Sequence, residues 1–207
     1  MRAAFPLRPT DMILSTIESD NAIALTKVWL DKAVIGLNLC PFAKSVQVKN
    51  QIRFAVSDAT DAETLLLDLA CELQLLASTD PEQIDTTLLI HPTALTDFLD
   101  FNDFLDLADA VIDELDLGGV LQIASLHPDY QFAGTAQDDI ENHTNRSPFP
   151  TLHLLRESSI ERAVAAFPDA SEIYQKNIAT MRRIGHAGWK ALGVATKPRS
   201  NEPEDEK

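Results

Sequence analysis

TTLLI, residues 86–90, is the stretch from which the rest of the chain is read. It is short, uncharged and closed by His91-Pro92, which marks it as a buried strand. Upstream, Gln51 to Ser57 (QIRFAVS) alternates Ile52, Phe54 and Val56 with Arg53, a second strand pattern. Between the two, Thr60 to Ser78 has helical periodicity, with Thr60 and Glu63 at the spacing of a capping box. Downstream, Phe98, Phe101, Leu105, Ala108, Val111, Ile112 and Leu115 form an apolar helical stripe with aspartates largely outside it, and Gly118-Gly119 ends it. Val120 to Leu126 then reads as a third strand and Thr151 to Leu155 (TLHLL) as a fourth.

Strands and helices alternating at intervals of this kind predict an α/β fold: one domain, a largely parallel or mixed four-stranded sheet, and flanking helices. The last strand follows a long loop, so its direction is open, and an α+β sandwich with helices on one face is the alternative. Asn21 to Leu37 reads as a helix before the sheet, and Ser158 to Phe167 and Ser171 to Leu192 as helices after it. The expected organisation is an N-terminal extension over residues 1–20, a globular domain over 21–195 and a disordered acidic tail over 196–207.

The chain has 207 residues and a formal net charge of -15, with no Lys or Arg between Arg53 and Arg146. So acidic a middle repels a phosphate backbone, which argues against nucleic-acid binding. No uncharged apolar run is long enough to span a bilayer, and the N-terminus lacks the hydrophobic core of a secretory signal, so a soluble cytoplasmic protein is expected. Two cysteines without CxxC spacing predict neither a disulfide framework nor a zinc site. If the partner is an anionic small molecule, its cations come from Lys44, Lys49, Arg53, Arg146 or Arg156.

Chemistry concentrates in two places. The strands at 86–90 and 120–126 both end in His-Pro, as His91-Pro92 and His127-Pro128, and a connection of more than twenty polar-rich residues runs from the second to Pro150. In open parallel sheets ligands bind beyond the carboxyl ends of the strands, so this loop is expected to wall a pocket there. His127 and Asp129 have the spacing of an oriented acid–base pair or, with Asp138 and Asp139, of a divalent metal site. Arg146 between Asn145 and Ser147 suits a carboxylate or phosphate, or an internal salt bridge. The second place is LNLCPFA, Leu37 to Ala43. Were Pro41 the first residue of a helix, Cys40 would cap it and gain thiolate character, whereas Cys71 sits among leucines and reads as packing.

LNLCPFA, LHPDYQFAGT, the Asp138-Asp139 pair and N-x-TNRSPFPTLHLLRE together resemble the bacterial and plastid family known as domain of unknown function 1415, over roughly Asn21 to Gly193. That resemblance implies kinship and no mechanism. It singles out Asn38, Cys40, Pro41, His127, Asp129, Tyr130, Asp138, Asp139, Asn142, Asn145, Arg146, Ser147, His153, Arg156 and Glu157. The resulting expectation is a small-molecule enzyme with Cys40 as nucleophile, His127 oriented by Asp129 as its base and Arg146 as anion anchor. Asn38, Tyr130, Asn142, Asn145, Ser147, His153 and Arg156 would contact the substrate. A non-catalytic metal- or metabolite-binding module and an interaction protein are the alternatives.

Overall fold

A computed structural model describes residues 9–166 and 172–195, with side chains from residue 18 onward and none for residue 166. The acidic tail and the start of the N-terminal extension fall outside these residues. In order, the elements are α1 (Pro9–Trp29), a π-helical segment (Leu30–Ile35), α2 (Ala43–Val48), β1 (Ile52–Val56), α3 (Ala62–Ser78), β2 (Thr86–Ile90), α4 (Phe98–Glu114), β3 (Leu121–Leu126), a 3-10 turn (Ile140–Thr144), β4 (Thr151–Arg156), α5 (Glu157–Ala166) and α6 (Ile173–Ala191).

The four strands form one mixed sheet of order β1-β2-β4-β3. β1 and β2 run parallel, and β4 lies antiparallel to both β2 and β3. The α/β class is therefore as expected, and the open question about β4 resolves as antiparallel insertion between β2 and β3. Both crossovers, β1-α3-β2 and β2-α4-β3, step toward the same edge, so their common right hand sends both helices to one face. Leu65, Leu69, Leu73 and Leu76 of α3 and Phe101, Phe104, Ala108 and Ile112 of α4 pack there on Ala55, Leu89, Leu152 and Leu154.

The second face carries the alternate residues. Phe54, Leu88, His153 and Ala124 line up across the strands, flanked by the row Ile52, Thr86, Leu155 and Gln122. It is covered in part by Trp29, Leu30, Ala33 and Val34, with Met181 and Trp189 of α6. The π turn brings Leu30, Ala33 and Val34 inward together. Gly36 closes that turn because a Cβ there would collide with the Lys32 carbonyl oxygen. Asn38 then turns the chain at φ 55, a left-handed conformation that asparagine tolerates.

Several boundaries differ from expectation for local reasons. The first helix begins at Pro9 rather than Asn21. The cap of α3 is Asp61, whose carboxylate accepts the Thr64 N–H at 2.8 Å, so Thr60 lies one residue outside the helix. Cys40 is not a helix cap: Pro41 sits in a turn closed by the Ala43 N–H on the Cys40 carbonyl, and α2 begins only after Phe42. Cys71 is exposed, not packed, because the inner stripe of α3 runs through Leu65, Leu69, Leu73 and Leu76 and leaves position 71 outside it. α6 is broken at Gly185, which adopts φ 59, ψ -176.

Candidate functional site

The loop from His127 to Pro150 is folded on itself. Asn142, fully buried, is its hub: Oδ1 accepts the Phe132 N–H at 3.1 Å and the Thr135 hydroxyl at 2.8 Å, while Nδ2 donates to the Ala136 carbonyl at 2.7 Å. Arg146 donates through Nε to the Tyr130 carbonyl at 3.0 Å and through a terminal nitrogen to the Gln137 carbonyl at 2.6 Å. Burial pulls this guanidinium below its ordinary value, and the Asp129 carboxylate opposes the shift. Asn145 reaches the Ser125 carbonyl at 3.5 Å, Ser147 donates to the Phe149 carbonyl at 2.6 Å, and Asp139 accepts the Ala136 N–H. Tyr130 packs between Phe98, which is tilted against it, and Phe132, which meets it edge-on.

His127 belongs to the first face. Its ring is fully buried against Phe98 and Phe101, Nδ1 accepts the Asp129 N–H at 3.0 Å, and Nε2 meets the Leu95 carbonyl at 3.3 Å. His91 lies close by, stacked on Phe101, and burial pushes it down to about 4. Among the described residues no three His, Cys, Asp or Glu side chains gather as a metal site, so His127, Asp129, Asp138 and Asp139 do not form one. Arg156 is also turned to the first face, where it donates to the carbonyls of Leu76 in the last turn of α3 and of Thr79 and Ile84 beyond it.

Cys40 lies on the other side of the sheet. It lines a cavity of about 820 Å³ over the second face, toward the starting ends of β1 and β2. The cavity is therefore not beyond the carboxyl ends of the strands, where the loop stands. Trp29, Leu30, Val34 and Leu88 supply apolar wall, the turn at Cys40 and Pro41 with α2 supplies one side, and α5 another. His153 and Thr86 reach it from the sheet, their side chains joined by a 2.8 Å contact between Nε2 and Oγ1. Burial pushes the His153 imidazole down to about 4, so it is neutral at pH 7.

The rim is polar. Asp85 accepts the Ser159 hydroxyl at 2.6 Å and faces Arg162 at 3.7 Å, and Arg162 also donates to Ser159 at 2.9 Å. Lys49 lines the same cavity and makes no ion pair among the described residues. Of the residues singled out by sequence, then, Cys40, Pro41 and His153 share a cavity with Lys49. Asn38 is at the turn before it, and His127, Asp129, Tyr130, Asn142, Asn145, Arg146, Ser147 and Arg156 are engaged elsewhere. Thr86, Asp85, Ser159, Arg162 and Trp29 were not anticipated. Only the alternation of TLHLL, which sets His153 opposite Leu152 and Leu154, held a trace of the second face.

Residues 21–191 match the family described as Protein of unknown function (DUF1415). The chain belongs to that family. No curated protein and no solved structure matches it. The match spans the end of α1 that supplies Trp29, all four strands, the long loop and the whole of α6, so both the self-bonded loop and the cavity lie within the family's extent.

Proposed function

We propose that this member of the family binds a small molecule in the cavity over the second face of the sheet. The single observation that carries the reading is the cavity itself. A space of about 820 Å³ with an aromatic and aliphatic wall and a few convergent polar groups has the size and character of a ligand site. No helix among the described residues is long and apolar enough to cross a membrane. The rim carries charges of both signs, so the ligand's polar part is selected by individual groups rather than by a field.

The test uses the protein's two cysteines. In a Cys71→Ala background, anilinonaphthalene sulfonate should bind the folded chain at one saturable site. Labelling Cys40 with N-cyclohexylmaleimide should abolish that site while the circular dichroism spectrum is unchanged. A folded protein with no saturable site, or a site indifferent to the Cys40 adduct, would overturn the proposal.

A second reading, catalysis at Cys40, is favoured by the thiol and the His153 imidazole lining one cavity. It replaces His127, which lies on the opposite face of the sheet. With p-nitrophenyl acetate, the Cys40 sulfur would form a thioester, p-nitrophenolate would leave, and the thiol proton would pass to His153. A stoichiometric burst assigned to Cys40 by peptide mass and slowed in His153→Phe supports it; release from Cys40 that is indifferent to His153 contradicts it.

A further inference from the structure

We propose that His153 is a fixed hydrogen-bond acceptor at the floor of the cavity, held in that role by Thr86, and that the ligand presents an O–H or N–H donor to its Nδ1 from an otherwise apolar, aromatic-sized body. The proposal rests on the reading of the cavity as a ligand site and adds the chemical class of what enters it.

The assignment follows from counting protons. The Thr86 hydroxyl carries one hydrogen and makes two short contacts, 2.6 Å to the Leu154 carbonyl oxygen and 2.8 Å to His153 Nε2. The carbonyl has no hydrogen to give, so the hydroxyl hydrogen is directed to it. The contact with His153 must then be supplied by Nε2–H, with the threonine oxygen accepting. A neutral imidazole protonated at Nε2 bears its lone pair on Nδ1. Thr86 is only 5% exposed and its carbonyl partner is backbone, so neither end of this relay is free to turn.

Nδ1 has no partner among the described residues, and it is not one of the enclosed polar atoms left without one. The ring stands on the second face in the row between Leu88 and Ala124, and both His153 and Leu88 line the cavity. The floor therefore offers a directional acceptor beside the apolar wall of Trp29, Leu30, Val34 and Leu88. A donor placed there makes a bond that a matched molecule without the donor cannot make, and discrimination by such a site is steeper than by apolar fit alone. A bare carboxylate would set lone pairs against the lone pair of Nδ1. An anionic group on the ligand is better placed at Lys49 on the rim. This departs from the expectation of an arginine-anchored anion.

The experiment compares 2-naphthol with 2-methoxynaphthalene, which share an aromatic body and differ in the donor, by equilibrium dialysis against the full chain. Wild type should bind 2-naphthol about tenfold more tightly. In His153→Phe both probes should bind with equal affinity, and in Thr86→Val, which frees the tautomer, the preference should shrink. Equal binding by wild type, or an undiminished preference in His153→Phe, would overturn the proposal while leaving the cavity reading intact. Failure of both probes to bind at all would overturn the cavity reading and the proposal with it. An independent readout needs no ligand: long-range nitrogen–proton spectra of labelled histidine should show the His153 proton on Nε2, and a proton on Nδ1 would contradict the assignment.

Discussion

Residue chemistry points first to polar side chains, and in this chain most of those are spent holding the backbone. Arg156 is 6% exposed and gives its donors to three carbonyls around the end of α3. Arg156→Ala should therefore cost about 3 kcal/mol in urea unfolding, and Arg156→Lys should recover little, because an ammonium lacks the planar fork. Asn142→Ala should cost about 2 kcal/mol, since it orphans the Phe132 N–H and takes from the Ala136 carbonyl one of its two donors, leaving it the Asp139 N–H. A loss close to zero in either would contradict a structural role. Sequence could not separate these residues from ligand contacts: an asparagine or arginine in a long polar loop reads alike whether its partner is a ligand or a carbonyl a few residues away. His153 was legible as a candidate, but Thr86, which sets its chemistry, is 67 positions away in the chain and meets it only through the strand register.

Elements were easier to read than their ends. The periodicities of α3 and α4 and the alternation of β1 follow directly from which faces are buried, and all three appear where expected. The inserted antiparallel β4 was not determined, because a long loop permits either direction. The π turn was not visible either: Trp29, Leu30, Ala33 and Val34 recur at spacings of three to five, which suit an α turn and a wider one alike. It carries a test. Gly36→Ala should destabilise the protein by about 3 kcal/mol, because the new methyl would collide with the Lys32 carbonyl rather than with a side chain that can swing away. Gly185→Ala should cost about 1–3 kcal/mol, its φ of 59 with extended ψ being a conformation only glycine adopts readily. Either variant unfolding at the wild-type urea midpoint would contradict these assignments.

At the scale of the whole molecule, stability should fall in mild acid. His91, His143 and His153 are each pushed down to about 4, mainly by burial, from an ordinary value near 6.5. The folded state holds them neutral while the unfolded chain protonates them, so their contribution is complete above pH 6.5 and is lost as pH falls toward 4. For the fully buried His91 this is on the order of 3 kcal/mol. The net charge of -15 acts oppositely by easing repulsion as carboxylates protonate, but chiefly below pH 4.5, where they titrate. The melting temperature should accordingly drop between pH 7 and 5, and a rise over that interval would contradict the buried, neutral state of these rings. The claim on which the functional reading stands is that the cavity beside Cys40 takes a small molecule, and the two thiols report on it most directly. Iodoacetamide alkylation of the wild-type chain, followed by peptide mass with and without saturating 2-naphthol, should show half-buried Cys40 protected severalfold and exposed Cys71 unaffected. Equal rates at Cys40 with and without 2-naphthol, or protection of both cysteines alike, would contradict occupation of the cavity.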